Sequence, residues 1–299
     1  MKIENNENYV KNEVNNPSQN EESQETGKWG FVKVNILRAI LVFAIGSIGL
    51  SIIFTLVVIL GNLFGVNVPK ITEDAAGYYK INSTYQLIAY LLLFISIIFA
   101  VISPNLVERL KKVFKGYDKA SSYVKGIYFG IALLVWQIAY NVITTMIFGD
   151  VGSNDNQNSL IEMAKGNFFS IFIVSVILAP ICEELTYRFA LFGGIASLGK
   201  SEKGKKIMPL IALIVTAIVF GLIHFDFGAV KAHLASPTEE TLQALKVELI
   251  NLPNYIGAGV ILSLAYYYND SIVSSWMAHT LNNLWSMIGV AKLIMGGNE

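Results

Sequence analysis

The sequence predicts an all-α fold: a polytopic integral membrane bundle of about 7–8 transmembrane helices. Three observations predict it. Of the 299 residues, 54% are hydrophobic and only 15% charged, where soluble domains run at about 45–50% and about 25%. The apolar residues come in runs of roughly 18–30, the length that crosses a hydrocarbon core. Basic residues gather in every second connection, as they do when alternate loops stay in the cytoplasm. Mean hydropathy is +0.52.

Taken in order, residues 1–27 are Asn-, Glu-, Gln- and Ser-rich. They cannot bury a core and are expected to form a disordered cytoplasmic tail. The first apolar run begins too late and is too long for a cleavable signal peptide. Lys28, Trp29, Lys33 and Arg38 mark an interfacial approach to a first span from about Ile36 to Phe64. A polar connection around Pro69, Glu73 and Lys80 leads to a second span, about Tyr85 to Ile102, ended by Pro104 and Asn105. A basic connection (Arg109, Lys111, Lys112, Lys115, Lys119, Lys125) precedes a third span, about Ile127 to Phe148.

The connection from Gly149 to Gly166 is polar and carries Asp150, Asp155 and Glu162. A fourth apolar run covers about Phe168 to Leu198, with Pro180 expected to kink it. Lys200, Lys203, Lys205 and Lys206 form a second basic connection before a fifth span, about Met208 to Phe225. Residues 226–250 read as a polar, partly helical connection. A short sixth span, about Tyr255 to Tyr268, and a seventh, about Ile272 to Met295, complete the chain. The predicted location is therefore the cell membrane, multi-pass, with a cytoplasmic N-terminus.

Lys plus Arg and Asp plus Glu both number 22, so the net charge of +0 gives a nucleic-acid partner no electrostatic support. The lipid bilayer is the partner the composition implies. One cysteine, Cys182, excludes an internal disulfide and a Cys-rich metal site, and it reads as a small buried apolar residue.

The fourth run holds Glu183-Glu184-Leu-Thr-Tyr-Arg188. An ionisable side chain at a bilayer centre costs about 2.5–3.5 kcal/mol by insertion scales, and such groups by default mark a functional site. Glu184 and Arg188 are four apart, so they share a helix face and can pair. Glu183 lies about 100° round the helix. The expectation is a structural Glu184–Arg188 pair beside a free, working Glu183.

Two histidines also stand inside apolar runs: His224, one turn after Phe220, and His279, one turn before Asn283. His233 falls in a polar connection and reads as solvated. In a dry cavity a glutamate with little water around it is a competent general base. With His224 beside it, Glu183 could deprotonate a water for attack on a carbonyl. His279 and Asn283 could donate to the developing oxyanion. No serine has a matching base and no Cys–His pair has a clear geometry, so the set argues for hydrolysis without a covalent intermediate. A zinc ion held by the two histidines and a carboxylate is the competing chemistry. H-E-x-x-H is absent, and the metal-free reading, with no cofactor, is favoured.

Glu183-Glu184-x-x-x-Arg188, Phe220-x-x-x-His224 and His279-x-x-x-Asn283 together resemble the three-part signature of the CAAX prenyl endopeptidases and their bacterial relatives, the CPBP (Abi) family. The resemblance covers about residues 120–295. The tail and the transmembrane helices at 28–120 are not part of it; it implies a protease core at 121–299. It implies an intramembrane glutamic-type peptidase in which Glu183 and His224 activate water, His279 and Asn283 form the oxyanion hole, and Glu184, Arg188 and Phe220 support the site. The implied substrate is a membrane-associated peptide or protein, as in bacterial peptide processing, signalling or bacteriocin self-immunity. Some family members act without cleavage as scaffolds, regulators or immunity proteins, which is the alternative function. A transporter with a Glu–His proton relay finds no inverted repeat to support it. One tension remains at this level. Counting residues from the loops places His224 nearer the outer side than Glu183 and His279.

Overall fold

The computed structural model describes residues 36–63, 72–73, 79–80, 83–102, 111, 113–152 and 154–296. The expected N-terminal tail, and Pro69, Pro104 and Asn105 at the expected span ends, lie outside them. In chain order the elements are α1 (Ile36–Leu63), β1 (Thr72–Glu73), β2 (Tyr79–Lys80), α2 (Ser83–Ile102), α3 (Ala120–Phe148) and α4 (Asp155–Gly166). They continue with α5 (Phe168–Ala196), α6 (Glu202–Ile223), α7 (Phe227–Ala235), α8 (Glu239–Asn269) and α9 (Ile272–Gly296). The two short strands pair antiparallel, Thr72 opposite Lys80. Everything else in the architecture is helix on helix.

Among the described residues, five helices are long and apolar enough to cross a membrane: α1, α3, α5, α6 and α8. α2 contributes a shorter apolar stretch, Gln86–Val101. α9 has 25 residues, enough at 1.5 Å per residue to span. It carries His279, Asn282, Asn283 and Lys292, which lower its hydropathy. The chain is a multi-pass membrane protein.

Burial ranks the helices. Of its apolar window, α5 buries 61%, against 11% for α1 and 6% for α3. α5 is therefore the central helix, and the others surround it. The outer helices leave Leu37, Ile40, Ile52, Ile131, Val135 and Val142 exposed, an apolar surface suited to lipid tails. Inside, Ile97, Leu185, Phe189, Phe192 and Tyr266 form one packed cluster. Leu133, Tyr187, Phe220, Ala258 and Leu262 form a second, next to the polar residues of α5.

α5 is not a regular α-helix. Val174–Leu178 and Glu184–Phe192 are π-helical, flanking Ala179–Glu183. Pro180, where a kink was expected, thus stands between two widened turns, a device often found at functional sites. Ala179 N–H bonds the Val174 carbonyl, five residues back. In that register the next donor would be Pro180, which has no N–H. The Ser175 carbonyl is left without its helical partner.

Two sequence expectations are corrected. The sixth span is not a short helix from about Tyr255. α8 begins at Glu239, runs 31 residues and passes through Pro253. The Thr238 side chain caps its start in a capping box with Thr241, and the helical pattern of Leu242, Leu245, Val247 and Leu249 is apolar enough to carry it. The polar connection from Gly149 to Gly166 also contains a helix, α4, started by Asn154, whose side chain accepts from Gln157 N–H at 3.0 Å. Its apolar residues pack under it, with Ala164 buried beside Ile171.

Candidate active site

Glu184 and Arg188, both fully buried, pair as expected, Arg188 Nη1 to Glu184 Oε1 at 3.2 Å. The guanidinium also donates to the Gly259 carbonyl of α8 at 3.4 Å. It lies over the Phe220 ring, 4.5 Å from its centroid, a cation–π contact in a desolvated place. Phe220 thereby separates Arg188 from the cavity.

A contact that the spacing within one helix could not reveal joins Glu184 to α9. His279 Nδ1 lies 2.9 Å from Glu184 Oε1. A carboxylate beside a guanidinium only accepts, so His279 Nδ1 carries the hydrogen. The opposite nitrogen, Nε2, then faces Glu183 Oε2 at 3.9 Å. Glu183 is about a quarter exposed where Glu184 is sealed. Its Oε2 has no hydrogen-bond partner among the described residues. Adjacent carboxylates therefore differ in state: one is locked into the helix packing, the other open to the cavity.

His224 caps the C-terminus of α6. Its Nδ1 lies 2.8 Å from the Phe220 carbonyl. A carbonyl accepts, so this nitrogen also bears hydrogen and Nε2 of the neutral ring offers a lone pair. Phe220 ties the two histidines together, its ring centroid 4.7 Å from that of His224 and 5.8 Å from that of His279. Counting from the loops put His224 nearer the outer side, yet it lines the same cavity as Glu183 and His279. Asp226 N–H donates to Glu248 of α8 at 3.1 Å, which fastens the turn just after His224.

Asn283 Nδ2 donates to the Ser175 carbonyl at 2.8 Å, the carbonyl that Pro180 leaves free. Asn282 Nδ2 in turn donates to Asn283 Oδ1 at 3.2 Å. The backbone carbonyl thus fixes which way the Asn283 amide points, and one of its two N–H hydrogens stays uncommitted.

Glu183, Phe220, His224, His279 and Asn283 all line one cavity of about 710 Å³, within the usual size of a small-molecule or peptide site. Its farther wall is polar, with Gln137, Asn141, Asn154 and Asn254 among the lining side chains. Among the described residues no three His, Cys, Asp or Glu side chains converge as a metal-binding set would. Cys182 is buried, as its small apolar reading required. His233 lies away from the cavity and pairs its Nδ1 with Thr241 Oγ1 at 3.1 Å.

Residues 165–285 match the family described as type II CAAX prenyl endopeptidase Rce1-like. The matched stretch contains all three motifs. Over this stretch the chain is similar to the CPBP family. A membrane-embedded CAAX protease, MroQ of Staphylococcus aureus, is 30% identical over 156 residues, covering 52% of this chain and 53% of that protein. An uncharacterised protein of Mycoplasma capricolum is 25% identical over 192 residues, covering 62% of this chain and 48% of that one. The chain spans about half the length of these curated relatives. No solved structure matches it.

The sequence reading missed two residues that the structure places at the site. Tyr255 stacks on the His224 ring, and Asn154 bonds its hydroxyl. The signal for Asn154 was only its residue type, one favoured at a helix N-cap. Tyr255 carried no signal, because its partner is on another helix.

Proposed function

We propose that the chain is an intramembrane endopeptidase that hydrolyses a peptide bond of a membrane-associated peptide or protein with a Glu183/His-activated water and no metal. The observation that carries the reading is Glu183 Oε2, buried and without a hydrogen-bond partner among the described residues, facing His279 Nε2 across 3.9 Å beside the cavity that both residues line. A water bonded to both sits at ordinary hydrogen-bond distance, about 2.8 Å from each. His224 Nε2 offers a further acceptor to such a water.

The roles follow from where the hydrogens are. Glu183 takes a proton from the water while its oxygen attacks the scissile carbonyl carbon. Negative charge moves onto the carbonyl oxygen. The uncommitted N–H of Asn283 can donate to it, and so can His279, whose Nε2 must then also bear hydrogen. With Nδ1 already donating to Glu184, this makes His279 an imidazolium, held between two carboxylates. Collapse of the tetrahedral intermediate returns the Glu183 proton to the leaving amine and releases two peptides. The relation to a CAAX protease supports this reaction class. The polar cavity wall suits a peptide backbone, which brings its own donors and acceptors.

The test is a comparison of membrane and secreted peptides from cells carrying wild type, Glu183→Gln or a deletion. A truncated peptide that appears only with the wild type is the expected result, and it identifies the substrate. Identical profiles in all three, with physiology altered only by the deletion, would replace the protease with a non-catalytic regulator or immunity protein.

A further inference from the structure

We infer that Tyr255 is a positioning residue for His224, and that Asn154 holds Tyr255 in place. The inference rests on the proposed role of His224 in activating water. The His224 and Tyr255 rings are stacked, with centroids 4.8 Å apart and planes 17° from parallel. The Phe220 carbonyl bonds one edge of the imidazole, and the Phe220 ring meets it tilted by 45°. The near-parallel Tyr255 ring is the flat face that holds the imidazole in its plane.

Tyr255 is itself anchored at both ends. Its backbone follows Pro253, where α8 lacks one donor. Two carbonyls beside this proline are taken by α3: Tyr140 Oη donates to Ile250 O, and Trp136 Nε1 donates to Asn254 O. α8 is thereby pinned to α3 at the turn that carries Tyr255. At the other end, Asn154 Nδ2 donates to the Tyr255 hydroxyl at 2.7 Å, and Asn156 Nδ2 approaches it at 3.4 Å.

The Asn154 amide cannot be turned round. Its Oδ1 accepts the Gln157 N–H that starts α4, so its NH2 must point at Tyr255. Asn154 is 6% exposed, which shields the bond from competing water. Asp150, Gly152, Asn154 and Asn156 also line the cavity. The wall that a peptide meets on this side is thus connected through one tyrosine to His224. Only ring orientation is assigned to Tyr255; it supplies no proton.

The test needs no known substrate. The chain has three histidines, so histidine-selective ¹⁵N labelling of the full protein in detergent resolves each ring, with a His233→Gln variant for assignment. In wild type, His224 is expected to show a single tautomer with hydrogen on Nδ1, and ring protons shifted upfield by the Tyr255 face. Tyr255→Leu should abolish the upfield shift and give a mixture of tautomers; Tyr255→Phe should keep the shift; Asn154→Ala should weaken it. In cells, product peptide should fall about tenfold or more in Tyr255→Leu, as expected for a misaligned catalytic group. Tyr255→Leu should add nothing in a His224→Ala background, because two residues acting through one group are not additive.

A folded Tyr255→Leu protein with unchanged His224 signals overturns the inference. Should that variant not fold, an unchanged upfield shift in Asn154→Ala overturns it instead. If His224→Ala left product formation intact, the proposed reaction would fall, while the ring spectra would still judge the placement.

Discussion

At Glu184 the carboxylate is fully buried, paired with Arg188 and bonded by His279; at Glu183, one residue earlier, the side chain is about a quarter exposed and lines the cavity. Conservative substitutions should therefore separate. Glu184→Gln strips the charge partner from a buried guanidinium, a change that costs roughly 3–5 kcal/mol. Its thermal midpoint in detergent should drop sharply. Glu183→Gln should keep the wild-type midpoint and lose product formation. Equal midpoints for the two variants would contradict the division of labour. Metal removal is a second check at this scale: 1,10-phenanthroline should leave product formation unchanged, and inhibition reversed by added zinc would restore the zinc chemistry set aside above. The Glu184–Arg188 pair was legible because helix spacing alone places it. The Glu184–His279 bond was not, because it joins residues on different helices and only packing decides their rotation.

Helix α5 shows how an element can carry function in its backbone. Its π turns and Pro180 expose the Ser175 carbonyl, and Asn283 of α9 occupies it. Pro180→Ala would return a backbone N–H to compete for that carbonyl, so product formation is expected to fall several-fold while the fold keeps its midpoint; unchanged turnover would separate Asn283 placement from the proline. The contact of α6 with α8 is tighter still. A Cβ on Gly259 would stand 2.9 Å from the Ala217 Cα and 3.0 Å from its carbonyl oxygen. Backbone cannot yield as a side-chain tip does, so Gly259→Ala should destabilise by about 1–3 kcal/mol. It should also disturb Arg188, which bonds the Gly259 carbonyl. Gly289 meets nothing within 4 Å, and Gly289→Ala, which removes helix-breaking freedom at up to about 1 kcal/mol, is the control that should not destabilise. Hydropathy and caps made most helices readable. α4 was hidden by its polar composition, and the first half of α8 by charges and Pro253, where the N-terminal part of one long helix read as a polar, partly helical connection.

At the scale of the molecule, helix count decides where the ends lie. Five helices qualify by length and apolarity, α2 is shorter, and α9 is long enough but polar. The polar residues of α9 are explained by the site: His279 and Asn283 face α5 rather than lipid, so low hydropathy does not argue against its crossing. With α2 and α9 both crossing, the count is the seven that the sequence predicts, an odd number that would put the two ends on opposite sides. The basic connections carrying Lys111 to Lys125 and Lys200 to Lys206 would then be separated by two crossings and share one side, expected to be the cytoplasmic one. Cys182 is the sole cysteine and is buried, which makes single-cysteine labelling clean. In a Cys182→Ala background, Asn298→Cys should react with a membrane-impermeant maleimide on intact cells, and Ser18→Cys only after the cells are opened. If both reacted only after opening, α2 or α9 would not cross, and the site would have to be built from helices that enter and leave on the same side.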